Sequence, residues 1–228
     1  GLDDFRKTML SDRHIRKLVD YENFKDVFPG VDLAGGASYF LWDRDKVGQC
    51  LTTNVYGGKE YTESRILNEF PVFIRYSLAL NIVHKVLSKK EDVFSSIVYS
   101  SKPFGFRSFE EGKKTKGAKS ISMLGSKGIT YVEKSEVSIN ADLIGKWKVI
   151  MSKTSAEHAG QADKDGRKRI LSRIEILPPN TICTESYLLV YVCDTQQIAE
   201  NVVSYMKTQF FRFLMATVLL TQNIAKDK

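Results

Sequence analysis

Apolar positions along the chain follow two periods, and they divide it into helical and extended stretches. Leu2, Phe5, Met9 and Leu10 recur at helical spacing, which predicts a helix over Asp3–Leu10. Ile15–Tyr21 reads as a strand, and Glu22–Gly36, with Pro29 and three glycines, as a loop. Ala37–Trp42 (ASYFLW) is a compact apolar run between Gly35-Gly36 and Asp43-Arg44-Asp45, the signature of a buried strand. Gln49–Tyr56 predicts a further strand, closed by a turn at Gly57-Gly58. An amphipathic helix starts near Phe73 and continues through Asn81–Leu87, while Val93–Ser101 fits helix and strand equally. After a loop over Lys102–Lys119, short strands are expected at Ser120–Leu124, Gly128–Val132 and Trp147–Met151. Ile170–Ile176 opens a strand pair that ends with Tyr187–Val192. The polar stretch Thr154–Arg169 has almost no apolar anchor and predicts an exposed, mobile loop. Ile198, Val202, Tyr205, Met206, Phe210, Phe213, Leu214 and Thr217 keep i, i+3, i+4 spacing, predicting one long helix over Gln196–Asn223 with Asp194 or Thr195 as N-cap. The series describes an α+β chain: a helix and strands that suit the tail of an α/β sheet, then a mixed sheet packed by a long C-terminal helix.

Charge changes this picture because it is unevenly placed. Residues 102–173 carry 16 Lys/Arg against 8 Asp/Glu, while residues 1–101 carry 14 of each and residues 174–228 carry 4 against 5. The formal +7 of the chain therefore sits in its middle third, where it favours a polyanion. The loop over Lys102–Lys119 interleaves Lys102, Arg107, Lys113, Lys114, Lys116 and Lys119 with Phe104, Phe106 and Phe109. Cations neutralise phosphates, and glycines let a backbone approach them. Lys148 and Lys153 add charge on and beside a strand, and Arg167-Lys168-Arg169 forms a second cluster. Lys102, Arg107, Lys113, Lys114, Lys116, Lys119, Lys148, Lys153, Arg167 and Lys168 are the candidate contacts to such a polyanion.

Several chemistries are argued against by what the sequence lacks. Cys50, Cys183 and Cys193 stand alone, without the paired spacing of a zinc site or a disulfide framework, as expected of a reducing, cytoplasmic setting. The longest apolar stretch, near Phe210–Leu220, contains Arg212 and Thr217 and is too short to span a bilayer. His14, His84 and His158 suggest no nucleophile–base pairing. Gly35-Gly36 and Gly57-Gly58 are not nucleotide-type glycine loops. The chain opens without Met inside an amphipathic stretch, as expected of a piece cut from a longer protein.

The segment Asp26-Val27-Phe28-Pro29-Gly30-Val31, then Gly35-Gly36 and Tyr39-Phe40-Leu41-Trp42, resembles the C-terminal catalytic-domain motif of gamma-type adenine-specific DNA methyltransferases of type II restriction–modification systems. The stretches around Phe94-Ser95-Ser96-Ile97, Lys102-Pro103-Phe104-Gly105, Lys146–Ile150, Ile176–Leu188 and Phe210–Phe213 resemble the TaqI-like C-terminal specificity domain. The resemblance implies that residues 1–48 end a catalytic domain and that residues 49–228 form a target-recognition domain for double-stranded DNA. It implies S-adenosylmethionine as cofactor of the parent enzyme, the rest of the catalytic domain as partner, and Phe28 as the aromatic face that holds a flipped adenine. Extruding a base loses its stacking, which such a face restores. The family's Asn/Asp-Pro-Pro-Tyr/Phe tetrapeptide is missing, since Pro178-Pro179 lies between Leu177 and Asn180. No catalytic residue is therefore expected in this chain. Two other readings stand beside this one: a structural or oligomerisation domain with its apolar C-terminal helix as seam, and an RNA-binding module with stacked phenylalanines.

Overall fold

A computed structural model describes residues 3–31, 36–70, 72–153, 165 and 170–218. They form a mixed α+β architecture with several small sheets and C-terminal helices. The chain divides into two compact units, residues 1–91 and 92–228. The expected functional boundary at 48/49 falls inside the first unit, between strands of one sheet.

In the first unit, helix α1 (Asp3–Ser11) precedes strands β1 (Ile15–Tyr21), β2 (Ala37–Trp42), β3 (Cys50–Tyr56) and β4 (Lys59–Arg65), and helix α2 (Leu80–Leu87) follows. The sheet order is β2-β1-β3-β4. Strand β1 runs antiparallel to β2 and parallel to β3, and β3 and β4 form a hairpin. Gly57 and Gly58 close that hairpin with φ of 56° and 71°, the left-handed values that glycine adopts without steric cost. Ile15, Cys50 and Leu67 are buried together, with Met9, Leu10, Leu18 and Phe73 packed against them.

Strand β2 is formed as expected but is not buried. It is the sheet's edge, and Tyr39, Phe40, Leu41 and Trp42 are all exposed. Side chains alternate across a strand, so β2 is uncovered on both faces. Its apolar composition reflects a surface that nothing described in this unit covers.

The second unit contains strands β5 (Ser120–Gly125), β6 (Gly128–Glu133), β7 (Trp147–Ser152), β8 (Ile174–Leu177), β9 (Thr181–Cys183) and β10 (Tyr187–Cys193), then helices α3 (Gln196–Met206) and α4 (Gln209–Val218). They make two sheets, β6-β5-β9 and β10-β7-β8. The second sheet is the middle layer. Ile150 and Leu189 pack toward Ile121, Met123 and Ile182 of the first sheet. Val149, Met151, Leu188 and Val190 pack toward Ala199, Met206 and Phe211 of the helices. Burial on both faces makes β7 and β10 nearly continuous apolar runs.

The stretch Val93–Ser101, open between helix and strand, contains a single 3-10 turn at Phe94–Ile97. The single long C-terminal helix is a correction. Helix α3 ends at Met206, and Thr208 restarts the chain as α4 by accepting the Phe211 N–H at 3.2 Å. Hydrophobic spacing runs unbroken through this joint, so only the hydroxyl marks it. Thr195 is the N-cap of α3, its side chain accepting from the Ile198 N–H. The polar loop predicted over Thr154–Arg169 lies outside the described residues apart from Asp165.

Candidate nucleic-acid interface

In the first unit, Phe28 lies on a loop whose base is tightly fixed. Arg75 bonds Asp20 through Nε at 2.6 Å and Nη2 at 3.0 Å, and also donates to the Tyr21 carbonyl at 2.9 Å. Gly36 has a φ of +89°, and a Cβ there would stand 2.8 Å from the Glu22 carbonyl oxygen and closer still to Arg75 and Tyr21. Tyr76 donates to Glu22 at 2.5 Å, and burial pushes its hydroxyl far above the ordinary phenol range. From this base, Asn23 caps a short 3-10 turn, Phe24 is buried, and the Phe28 N–H bonds the Phe24 carbonyl at 2.8 Å. Phe28 itself is 50% exposed, an aromatic ring presented to solvent from an anchored turn.

The second unit holds the basic candidates. The loop expected over Lys102–Lys119 has no regular element but is not loose. Phe104 is fully buried in the core between the sheets, and Phe106 packs against it. Asn140 donates to the Pro103 carbonyl at 2.8 Å, and the Glu185 N–H to the Phe106 carbonyl at 3.0 Å. Lys113 then pairs with Tyr131 of β6, the two backbones exchanging bonds of 2.8 and 2.9 Å. Gly112 fits there without a side chain, because a Cβ would stand 2.9 Å from the carbonyl carbon of Tyr131.

This arrangement places the sequence candidates unequally. Arg107, Lys113, Lys114, Lys116 and Lys119 are exposed. The ion pairs of the second unit's described residues join Lys127 to Glu111, Lys146 to Asp194 and Arg173 to Glu175, and none engages Lys113, Lys114, Lys116 or Lys119. Lys102 is partly buried at a left-handed backbone position, φ 56°. Lys153 is partly buried, donates to Ser101 Oγ at 2.8 Å, and has its ammonium pKa lowered by burial. Arg167 and Lys168 lie outside the described residues.

Lys148 points inward. It is 0% exposed, and its Nζ donates to the carbonyls of Ile144 at 3.1 Å and Lys146 at 2.6 Å. Burial pushes its pKa down to about 8, and the neighbouring Cys183 thiol is pushed up to about 12 by the same loss of water. A lysine in this position offers no charge to a phosphate on the surface, so the proposed contact set omits it.

Lys127 carries no signal of its own in the charge pattern. It occupies the turn between β5 and β6 and bonds Glu111 at 2.6 Å, tying the turn to the basic loop. The short Gly125-Ser126-Lys127-Gly128 turn between two strands is the sequence feature that points to it. Among the described residues, no cluster of His, Cys, Asp or Glu is placed to hold a metal, and no helix is long and apolar enough to cross a membrane. Compared with known protein families and with curated proteins, the chain matches none.

Proposed function

We propose that this chain recognises double-stranded DNA as the target-reading part of a gamma-type, adenine-specific methyltransferase of a restriction–modification system. The observation that carries the reading is the segment Lys113–Lys119. It presents four exposed ammonium groups, none held in an ion pair among the described residues, beside a backbone joined to β6. Such cations displace condensed counterions from a phosphate backbone, which supplies affinity without sequence preference. Arg107 and Lys102, on the anchored part of the loop, are the candidates for base edges, where a fixed origin is needed to read a donor–acceptor pattern.

Two observations in the first unit support the family resemblance. The exposed ring of Phe28 suits stacking on an extruded adenine. The uncovered strand β2, a free edge carrying four exposed large apolar side chains, suits coverage by the remainder of a catalytic α/β domain. On this reading residues 1–48 complete that domain and residues 49–228 read the target.

The parent enzyme would take S-adenosylmethionine, but this chain's residues do not fit that ligand. Gly57-Gly58 is a hairpin turn, Gly36 is packed against Arg75, and no Asn-Pro-Pro-Tyr tetrapeptide is present. No step of methyl transfer is assigned to the chain, and incubation with labelled S-adenosylmethionine and adenine-containing duplex is expected to give no transfer above background.

The test is equilibrium binding of the 228-residue chain to a duplex, to its single strands and to an RNA of the same sequence, followed by selection from a random duplex pool. The expected results are tightest binding to the duplex, steep weakening with salt, and recovery of one consensus site. Equal recovery of all sequences, or preference for RNA, overturns the reading.

A further inference from the structure

Phe109 stands out among the aromatic residues of the basic loop. Phe104 is fully buried and Phe106 is packed on the same core, but Phe109 is 74% exposed. It occupies the third position of a tight turn, Arg107-Ser108-Phe109-Glu110. The Glu110 N–H bonds the Arg107 carbonyl at 3.2 Å, and the Glu110 carboxylate accepts from the Arg107 N–H in return. The Ser108 N–H donates to Glu185 Oε1 at 3.2 Å, while Glu185 bonds the Phe106 carbonyl through its own N–H. On the far side, Glu111 is paired with Lys127, and Gly112 donates to Thr130 Oγ1 at 3.2 Å.

The turn is thus fixed on both sides, and its acidic residues are used in fixing it. Glu110 and Glu185 accept backbone N–H groups, and Glu111 is neutralised by Lys127. Facing solvent with the phenyl ring are Arg107, Lys113, Lys114 and Lys116, together with Glu110 and Glu111, whose carboxylates are held by the Arg107 N–H and by Lys127. No packing among the unit's described residues accounts for a large apolar side chain at the tip of so constrained a turn. A rigid aromatic tip with cations beside it matches what a stacked polyanion requires. The cations hold the phosphates, and the ring enters between bases.

We propose that Phe109 is a wedge that inserts into the base stack of duplex DNA. This rests on the reading of the chain as a duplex-binding protein and adds a deformation step to it. Insertion costs the unstacking of one base step, which is smallest where the stack is already interrupted. The ring then regains stacking on the exposed base face. A constrained turn keeps the ordering of the side chain from offsetting that gain.

The test needs no knowledge of the target sequence. The full chain is titrated against a matched duplex and against the same duplex carrying a one-base bulge, over a range of salt. Wild type is expected to bind the bulged duplex about tenfold more tightly, the effect of a single stacking contact. Phe109→Ala is expected to bring the two affinities together while leaving the salt dependence unchanged, and Phe109→Trp to keep the preference. Because Phe109 is exposed, both variants should match wild type in unfolding midpoint. Salt-dependent binding with no bulge preference, or a preference that survives Phe109→Ala, overturns the wedge and leaves duplex binding standing. Absence of salt-dependent binding to either duplex overturns both.

Discussion

Replacing Lys148 by Met separates a buried cation from a DNA contact in one variant. The side chain is enclosed on strand β7, and its ammonium pKa falls from 10.5 to about 8 because burial disfavours the charged form. A depressed folded-state pKa means the native state binds the proton less well than the unfolded chain. Stability is therefore greatest above pH 10.5 and is lost as pH falls toward 8, below which the loss is complete. A shift of this size corresponds to roughly 3 kcal/mol in total, at about 1.36 kcal/mol per unit. Between pH 7 and pH 9.5 the wild type should recover about 2 kcal/mol of it. In urea this is a rise of about 1 M in midpoint. Cysteine thiols of the unfolded chain also titrate in this range, so the quantity to compare is the difference between wild type and Lys148→Met at each pH. The variant keeps the length of the stem and carries no proton, so this difference should close by about 2 kcal/mol across the interval. Its salt dependence of DNA binding should equal wild type, because an inward ammonium releases no counterions. Parallel stability curves, or a flattened salt slope in Lys148→Met, would refute the placement of this charge.

Phe104→Ala removes a fully buried ring from between the two sheets, and urea unfolding should register a loss of about 3–5 kcal/mol. Thr208→Ala deletes the hydroxyl that caps α4, and should cost about 1 kcal/mol with a small loss of helical circular dichroism. In a reconstituted enzyme containing the catalytic partner, Phe28→Ala should lower turnover more than duplex affinity, by about 1–3 kcal/mol of transition-state stabilisation. Wild-type turnover in that variant would make Phe28 a simple surface residue.

Much of the architecture is legible in periodicity, and each failure has its own local cause. Strands β1, β3, β5, β6 and β7 carry apolar runs bounded by turn residues, and the structure places them within a residue of expectation. Strand β4, KEYTESR, has no apolar pattern because only Arg65 is buried, and it is a strand through its hairpin register with β3. Strand β2 has the opposite fault. Its apolar run does not reveal whether anything covers it. The joint at Thr208 is local hydrogen bonding laid over an uninterrupted hydrophobic stripe. Charge counting finds the lysines at 113–119 but does not separate them from Lys148, which differs by lying on a strand covered on both faces. Nor does spacing show that Phe104 faces the core and Phe109 faces solvent.

Paired salt titrations of wild type and a Lys113→Ala, Lys114→Ala, Lys116→Ala triple variant on a matched duplex read directly whether the basic loop tracks a DNA backbone. If these lysines meet phosphates, the slope of log K against log salt should fall by roughly 0.9 for each phosphate left unneutralised, approaching about 2.7 when all three are removed. The change should be the same on the selected site and on a scrambled sequence, because phosphate contacts carry no sequence information. A triple variant whose slopes match wild type on both duplexes would contradict the account, leaving these lysines as solvated surface.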